Sequence, residues 1–165
     1  MTAGATTDRL DLAAFSRHPQ KAPLMKALVA TDGSSHSQAA VEGFVSRFAW
    51  FKQLPAVELV TVHPAIPYGR AAAWAGRETV EKYYAEESDA ALLPAAELLK
   101  ARGAEFRAVK LVGDAAPEIV KHAQSSGCDM IVMGTHGQTA VANLVMGSVA
   151  TKVIALSKVP VLLLR

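Results

Sequence analysis

The amino-acid sequence predicts an α/β fold: a single doubly wound, five-stranded parallel sheet with helices on both faces. Three observations carry that prediction. Short apolar runs of strand length alternate with longer stretches of helical periodicity. The run Met130–Met133 is apolar without interruption, the pattern of a strand buried on both sides. Turn chemistry separates the segments, at Thr31-Asp32-Gly33-Ser34, Pro55, Gly103 and Gly134. A chain of 165 residues, 51% hydrophobic and 19% charged, suits one domain that buries roughly 70% of its unfolded surface.

Taken in order, Leu24–Ala30 reads as the first strand and Thr31–Ser34 as a turn. Ser35 and Gln38 have capping-box spacing, which predicts a helix from His36 to Phe51. Pro55 separates it from the second strand, Val57–His63, and a Pro/Gly-bearing loop follows from Pro64 to Gly76. The second helix spans Arg77–Ala101. Its mostly apolar stripe includes Tyr83, Tyr84, Glu87, Ala91 and Leu92; Pro94 should kink or interrupt it and Gly103 ends it. Glu105–Val112 is the third strand. Asp114 then caps a helix over Ala115–Ser125, with Pro117 in the tolerated first turn. Asp129–Met133, Ser148–Ser157 and Val159–Leu164 complete the series as strand, helix and strand.

The strands differ enough to suggest their order. Arg107 and Lys110 suit a partly exposed edge for the third strand. Pro160 cannot donate to a ladder, which directs the fifth strand to the other edge. The apolar fourth strand belongs in the centre. Order 3-2-1-4-5 satisfies all three, and it makes strands one and four neighbours where the winding reverses. Ligands of open α/β sheets bind at that crevice, so the Asp32 turn and the Gly134 loop are expected to meet there.

A net charge of +2 without a basic run gives no reason to expect nucleic acid as a partner. The single cysteine, Cys128, excludes an intramolecular disulfide and reads as a small buried hydrophobe in a reducing compartment. No apolar segment approaches the roughly 18 residues that span a bilayer. Residues 1–21 mix charged and small residues without a signal-peptide core and read as a flexible arm before a domain at 22–165. A cytoplasmic protein without a membrane partner is expected.

Gly134 and Gly137, followed after nine intervening residues by Gly147-Ser148 at a helix start, form the most informative pattern. Glycines let backbone approach a ligand closely, and free amides at a helix N-terminus attract an anion, above all a phosphate. The spacing is neither that of a P-loop nor that of a Rossmann dinucleotide site.

Together with Val29-Ala30-Thr31-Asp32-Gly33-Ser34, Gly113-Asp114 and the closing Val159-Pro160-Val161-Leu162-Leu163, this pattern resembles the universal stress protein family, over residues 22–165. The Gly-x2-Gly-x9-Gly-Ser spacing looks like that of the family's ATP-binding branch. The resemblance implies an adenine nucleotide alpha hydrolase-like fold and a homodimeric stress-response or signalling protein that binds ATP, with Mg²⁺ as a companion ion. It puts adenine near Ala30, Thr31, Asp32, His63 and Pro64. Ribose and phosphates fall to Gly134, Gly137, Gly147, Ser148 and Val149, with Gly113, Met133 and His136 completing the candidate set. The chain departs from the branch at Gln138, Ala142 and Asn143, where basic residues are frequent, and at Thr151, where the branch often has Glu. No lysine or arginine lies between Met130 and Val149, which leaves N–H dipoles, His136 and Mg²⁺ to meet phosphate charge and implies reduced triphosphate affinity.

Each candidate also has a plain structural role. Asp32 and Ser34 can simply cap the first helix, Ser148 can cap the fourth, and His63 and His136 can be ordinary strand-end and loop histidines. Tyr68, Arg70 and Trp74 sit in the loop that can fold over the crevice, where Arg70 would supply a cation. The short, apolar strand-five edge invites pairing with a second copy. With no Walker lysine and no loop arginine, ATP hydrolysis is expected to be weak at most. The alternative is a nucleotide-independent dimeric interaction module acting through protein partners. An α/β hydrolase or flavin carrier fits less well, because no Gly-x-Ser-x-Gly elbow is present. The histidines have no metal-ligand spacing.

Overall fold

The computed structural model describes residues 25–65, 77–138 and 146–165. The expected arm, Leu24, the loop residues Tyr68, Arg70 and Trp74, and Ala142 and Asn143 lie outside the described residues.

Strands β1 (Lys26–Ala30), β2 (Ala56–His63), β3 (Phe106–Val112), β4 (Met130–Gly134) and β5 (Val161–Leu164) form one parallel sheet in the order β3-β2-β1-β4-β5. On edge strand β3, Arg107 and Lys110 are exposed, and Lys110 Nζ reaches Asp89 at 2.7 Å. Pro160 stands just before β5 on the opposite edge, where its carbonyl still accepts from the Ile131 amide at 2.9 Å. Ala27 and Val29 enter a core shared with α1 (Ser35–Ser46) and α2 (Arg77–Ala101). Leu28 and Ala30 enter the other, shared with α3 (Ala115–Ser125) and α4 (Ser148–Leu156). Central strands therefore have no solvent face, which is why β4 is apolar throughout and β1 is apolar after Lys26. Fully buried Phe44, Leu59, Leu92 and Ile131 each contribute roughly 1.5–3 kcal/mol.

Several boundaries differ from expectation for physical reasons. Ser34, not Ser35, caps α1, its Oγ accepting from the Ser37 amide at 3.2 Å. Gln38 closes no capping box; its side chain reaches the Pro94 carbonyl. The helix stops at Ser46, and a 3-10 turn over Phe48–Trp50 follows. That tightening returns Phe48 edge-on to the Phe44 ring, at 5.3 Å between centroids, inside the core. Pro94 does not interrupt α2, which is one 25-residue helix. Its exposed ring sits away from the buried Leu92, Ala95 and Leu99, whose packing outweighs the lost N–H bond. Asp114 is at the N-cap of α3 but makes no capping bond and lies 3.6 Å from Lys152 Nζ. Strand β4 starts at Met130, and Asp129 just before it binds Lys26 twice: its carboxylate accepts the Lys26 amide at 2.7 Å and its own amide donates to the Lys26 carbonyl at 2.8 Å. The fourth helix ends at Leu156, with Ser157 as its C-cap.

Charge at the N-terminal end of the sheet escaped the sequence pattern. Glu58 on β2 is buried, with Lys26 Nζ at 2.7 Å and His122 Nε2 at 2.6 Å. Burial pushes its carboxyl pKa up, but hydrogen bonds from Lys26 and His122 outweigh this and hold it below the ordinary value. Cys128 is buried nearby, and that burial pushes its thiol pKa up, as fits a packing residue.

Candidate functional site

At the opposite, C-terminal ends of β1, β2 and β4 lies a cavity of about 890 Å³. Parallel strands end there with unpaired main-chain groups, and the winding reverses between β1 and β4, so the following turns diverge and leave a crevice. From one lip come Ala30, Thr31, Asp32, His63 and Pro64. Met133, Gly134, His136 and Gly137 come from the other, and Gly147, Ser148 and Val149 close the side. Gly113 is not part of this wall. Its amide donates to the His63 carbonyl at 2.9 Å, and a Cβ there would stand 2.9 Å from Glu118 Cγ, so it seats α3 against the sheet.

The lips are tied together. Asp32 Oδ1 accepts from the Ser34 amide (3.1 Å) and hydroxyl (2.6 Å), which shapes the first turn. Its Oδ2 accepts from the Gln138 amide across the crevice at 2.8 Å, and Gln138 Nε2 donates to the Asp32 carbonyl at 2.7 Å. Burial pushes the Asp32 pKa up, but the bonds from Ser34, Ser37 and Gln138 together hold it below the usual carboxylate value. A Cβ on Gly137 would collide with Asp32 Oδ2, and one on Gly134 would lie 2.9 Å from the His136 carbonyl. Close approach is what these two glycines provide. Gly33, at φ +76°, lets the first turn lie directly on Ala91 of α2.

Gly147, rather than Ser148, is the N-cap of α4. Its amide donates to the Thr135 carbonyl at 2.7 Å, which fixes it in extended backbone, so the helix starts at Ser148. Among the described residues no side chain caps this helix, and its first turn opens on the cavity at Ser148, Val149 and Ala150. His63 Nδ1 lies 2.9 Å from the Pro64 carbonyl, and its ring meets Tyr84 and Tyr83 at 4.9 and 5.6 Å. A carbonyl only accepts, so Nδ1 carries the hydrogen.

The sequence reading passed over the α2 side of the wall, where Tyr83, Glu87 and Ser88 face the cavity with Thr61 of β2. One signal was present: Glu87 interrupts an otherwise apolar stripe, as a cavity-facing residue would. Among the described residues no cluster of His, Cys, Asp or Glu is suited to a metal ion, and no helix is long and apolar enough to cross a membrane.

Residues 24–165 match the profile of the universal stress protein family. The chain belongs to that family. A universal stress protein of Methanocaldococcus jannaschii is 30% identical over 141 residues, covering 85% of this chain and 81% of the relative. The solved structure of MJ0577, another universal stress protein of that organism, is similar with a TM-score of 0.73 at 26% identity, over 85% of this chain and 94% of that one. More distant family structures share the fold and hold adenine nucleotides: an Arabidopsis thaliana protein with AMP (TM-score 0.58, 16% identity, 85% and 90% covered) and a universal stress protein with cAMP (0.56, 24%, 86% and 97%). A third, from Archaeoglobus fulgidus, holds dAMP (0.53, 21%, 86% and 98%).

Proposed function

We propose that this family member binds an adenine nucleotide, ATP included, in the β1/β4 crevice, and acts as a stress-response or signalling homodimer with little or no hydrolysis. The observation that carries the reading is the convergence on one cavity of two glycine-shaped turns and the first turn of α4, which no described side chain caps. The main-chain amides of that turn suit a phosphate, and Ala30, Thr31, His63 and Pro64 leave space for a base between the β1 and β2 ends. Relatives that hold AMP, cAMP and dAMP support an adenine ligand. Mg²⁺ would travel on the nucleotide phosphates, because Asp32 already has both oxygens engaged. The same bonds make Asp32 a weak base and a poor activator of water.

Binding would stabilise the folded chain by RT ln(1 + [L]/Kd), so nucleotide levels would register as a change in lifetime or conformation. For the dimer, β5 offers an outer edge beside exposed Ile154 and Leu156 of α4. Native mass spectrometry of the purified protein, followed by an adenine-nucleotide thermal-shift assay, tests the nucleotide reading. A co-purifying adenine nucleotide or a saturable shift is expected. An empty protein with no shift refutes it and leaves the nucleotide-independent interaction module.

A further inference from the structure

Charge around the crevice is unevenly distributed. Among the described residues its wall presents the carboxyl groups of Asp32 and Glu87, the imidazoles of His63 and His136, and no lysine or arginine. Attraction for an anion therefore comes chiefly from helix starts, that of α4 at Ser148–Ala150 and that of α3 at Ala115, each equivalent to roughly half a positive charge and confined to the first turn. One phosphate placed at those amides is served. A second and third extend past the first turn, where the described wall offers no cation.

Gln138 bears on what they meet. Following Gly137, it offers two donor nitrogens at the loop tip, the main-chain amide and Nε2, and each gives a hydrogen bond to Asp32 on the opposite lip, at 2.8 and 2.7 Å. The clasp leaves a neutral side chain where a phosphate chain would need a cation, and it holds the Asp32 carboxylate beside the loop. Hydrogen bonds to that carboxylate keep it ionised at neutral pH, against the opposing effect of burial.

Resting on the nucleotide reading above, we propose that this site ranks adenine nucleotides by phosphate number, taking the monophosphate in preference to free ATP, and that the absence of charge on the Gln138 side chain sets the preference. Mg²⁺ narrows the gap by neutralising the outer phosphates before they enter.

Calorimetric titration of the full chain with AMP and with ATP, in chelator at low salt, tests this on wild type, Gln138→Lys and Gln138→Met. Wild type should bind AMP about tenfold or more tighter than ATP, a gap equal to about 1.4 kcal/mol. Gln138→Lys should move the ATP:AMP affinity ratio toward ATP by about tenfold, a shift that shrinks as salt is raised. Gln138→Met removes the side-chain half of the clasp without adding charge and should leave that ratio near the wild-type value. Wild type binding ATP as tightly as AMP overturns the inference alone, as does an unmoved ratio in Gln138→Lys or an equal shift in Gln138→Met. Binding of neither nucleotide by wild type overturns the inference and the nucleotide reading together.

Discussion

Replacing Gly137 by alanine adds one methyl group where the structure has no room for it. Gly137 is not among the positive-φ glycines, so the penalty is steric rather than conformational. The new Cβ collides with Asp32 Oδ2, and the carboxylate must turn away from the Gln138 amide that it holds at 2.8 Å. A hydrogen bond to a charged group is worth about 1.5–3 kcal/mol. Gln138 is exposed and Asp32 half-buried, which puts the expected loss at the lower end, about 1–2 kcal/mol. In a chain of this size that is a fall in Tm of about 2–8 °C. Loop displacement should also weaken adenine-nucleotide binding by at least about tenfold, the effect of ~1.4 kcal/mol. Gly137→Val should abolish binding while leaving far-UV circular dichroism unchanged. The decisive assay is a double-mutant cycle by chemical denaturation. In an Asp32→Ala background the obstructing oxygen is gone, so adding the methyl should cost less than about 0.5 kcal/mol, a coupling within the range for residues in contact. Additive costs, or a Gly137→Ala protein with wild-type stability and nucleotide affinity, would refute the reasoning.

At the other end of the sheet, Glu58→Gln removes the buried charge that Lys26 and His122 share and should cost about 2–3 kcal/mol by urea denaturation, below the full buried-pair value because both partners are partly exposed. The Glu58 pKa is lowered on folding, so its contribution is present above the unfolded value of about 4.5 and is lost as pH falls through the folded value. Wild-type stability should thus decline with acidification in that range, and Glu58→Gln should flatten the slope; an unchanged slope would remove Glu58 as its source. Buried Cys128, with its thiol pKa pushed up, should react slowly with an aromatic disulfide reagent in the native protein and rapidly in denaturant. Equal rates in the two states would contradict its burial. Along β5, the Pro160 carbonyl accepts from Ile131 of β4 and the Leu164 carbonyl from Thr135 just past it, which turns the main-chain groups of Val161 and Leu163 outward. If β5 pairs with a second copy, Leu163→Pro should convert a dimer to a monomer by light scattering with the fold retained; a wild-type monomer at micromolar concentration would remove that proposal.

Sheet order was legible because its signals are properties of single strands. Arg107 and Lys110 mark one edge, Pro160 the other, and the unbroken Met130–Met133 run marks the centre. Helix termini were less legible. Ser34 and Ser35 are chemically equivalent N-cap candidates, and Gly147 displaced Ser148 because of a bond to Thr135 that no local pattern encodes. The candidate site divides in the same way. Its glycines announced themselves by spacing, whereas Thr61 and Ser88 belong to elements that look like ordinary core packing until α2 is laid over β2.

By itself, then, the sequence determined the alternation of elements, the strand order, the family, and which turns face each other at the winding reversal. These follow from periodicity and turn chemistry, which act over a few residues. Tertiary structure alone decided that Asp32 grips Gln138, 106 positions away, and that Glu58 is buried against His122, 64 positions away. Such pairings depend on where distant segments come to rest, and a hydrogen bond leaves no periodic trace in either partner's neighbourhood.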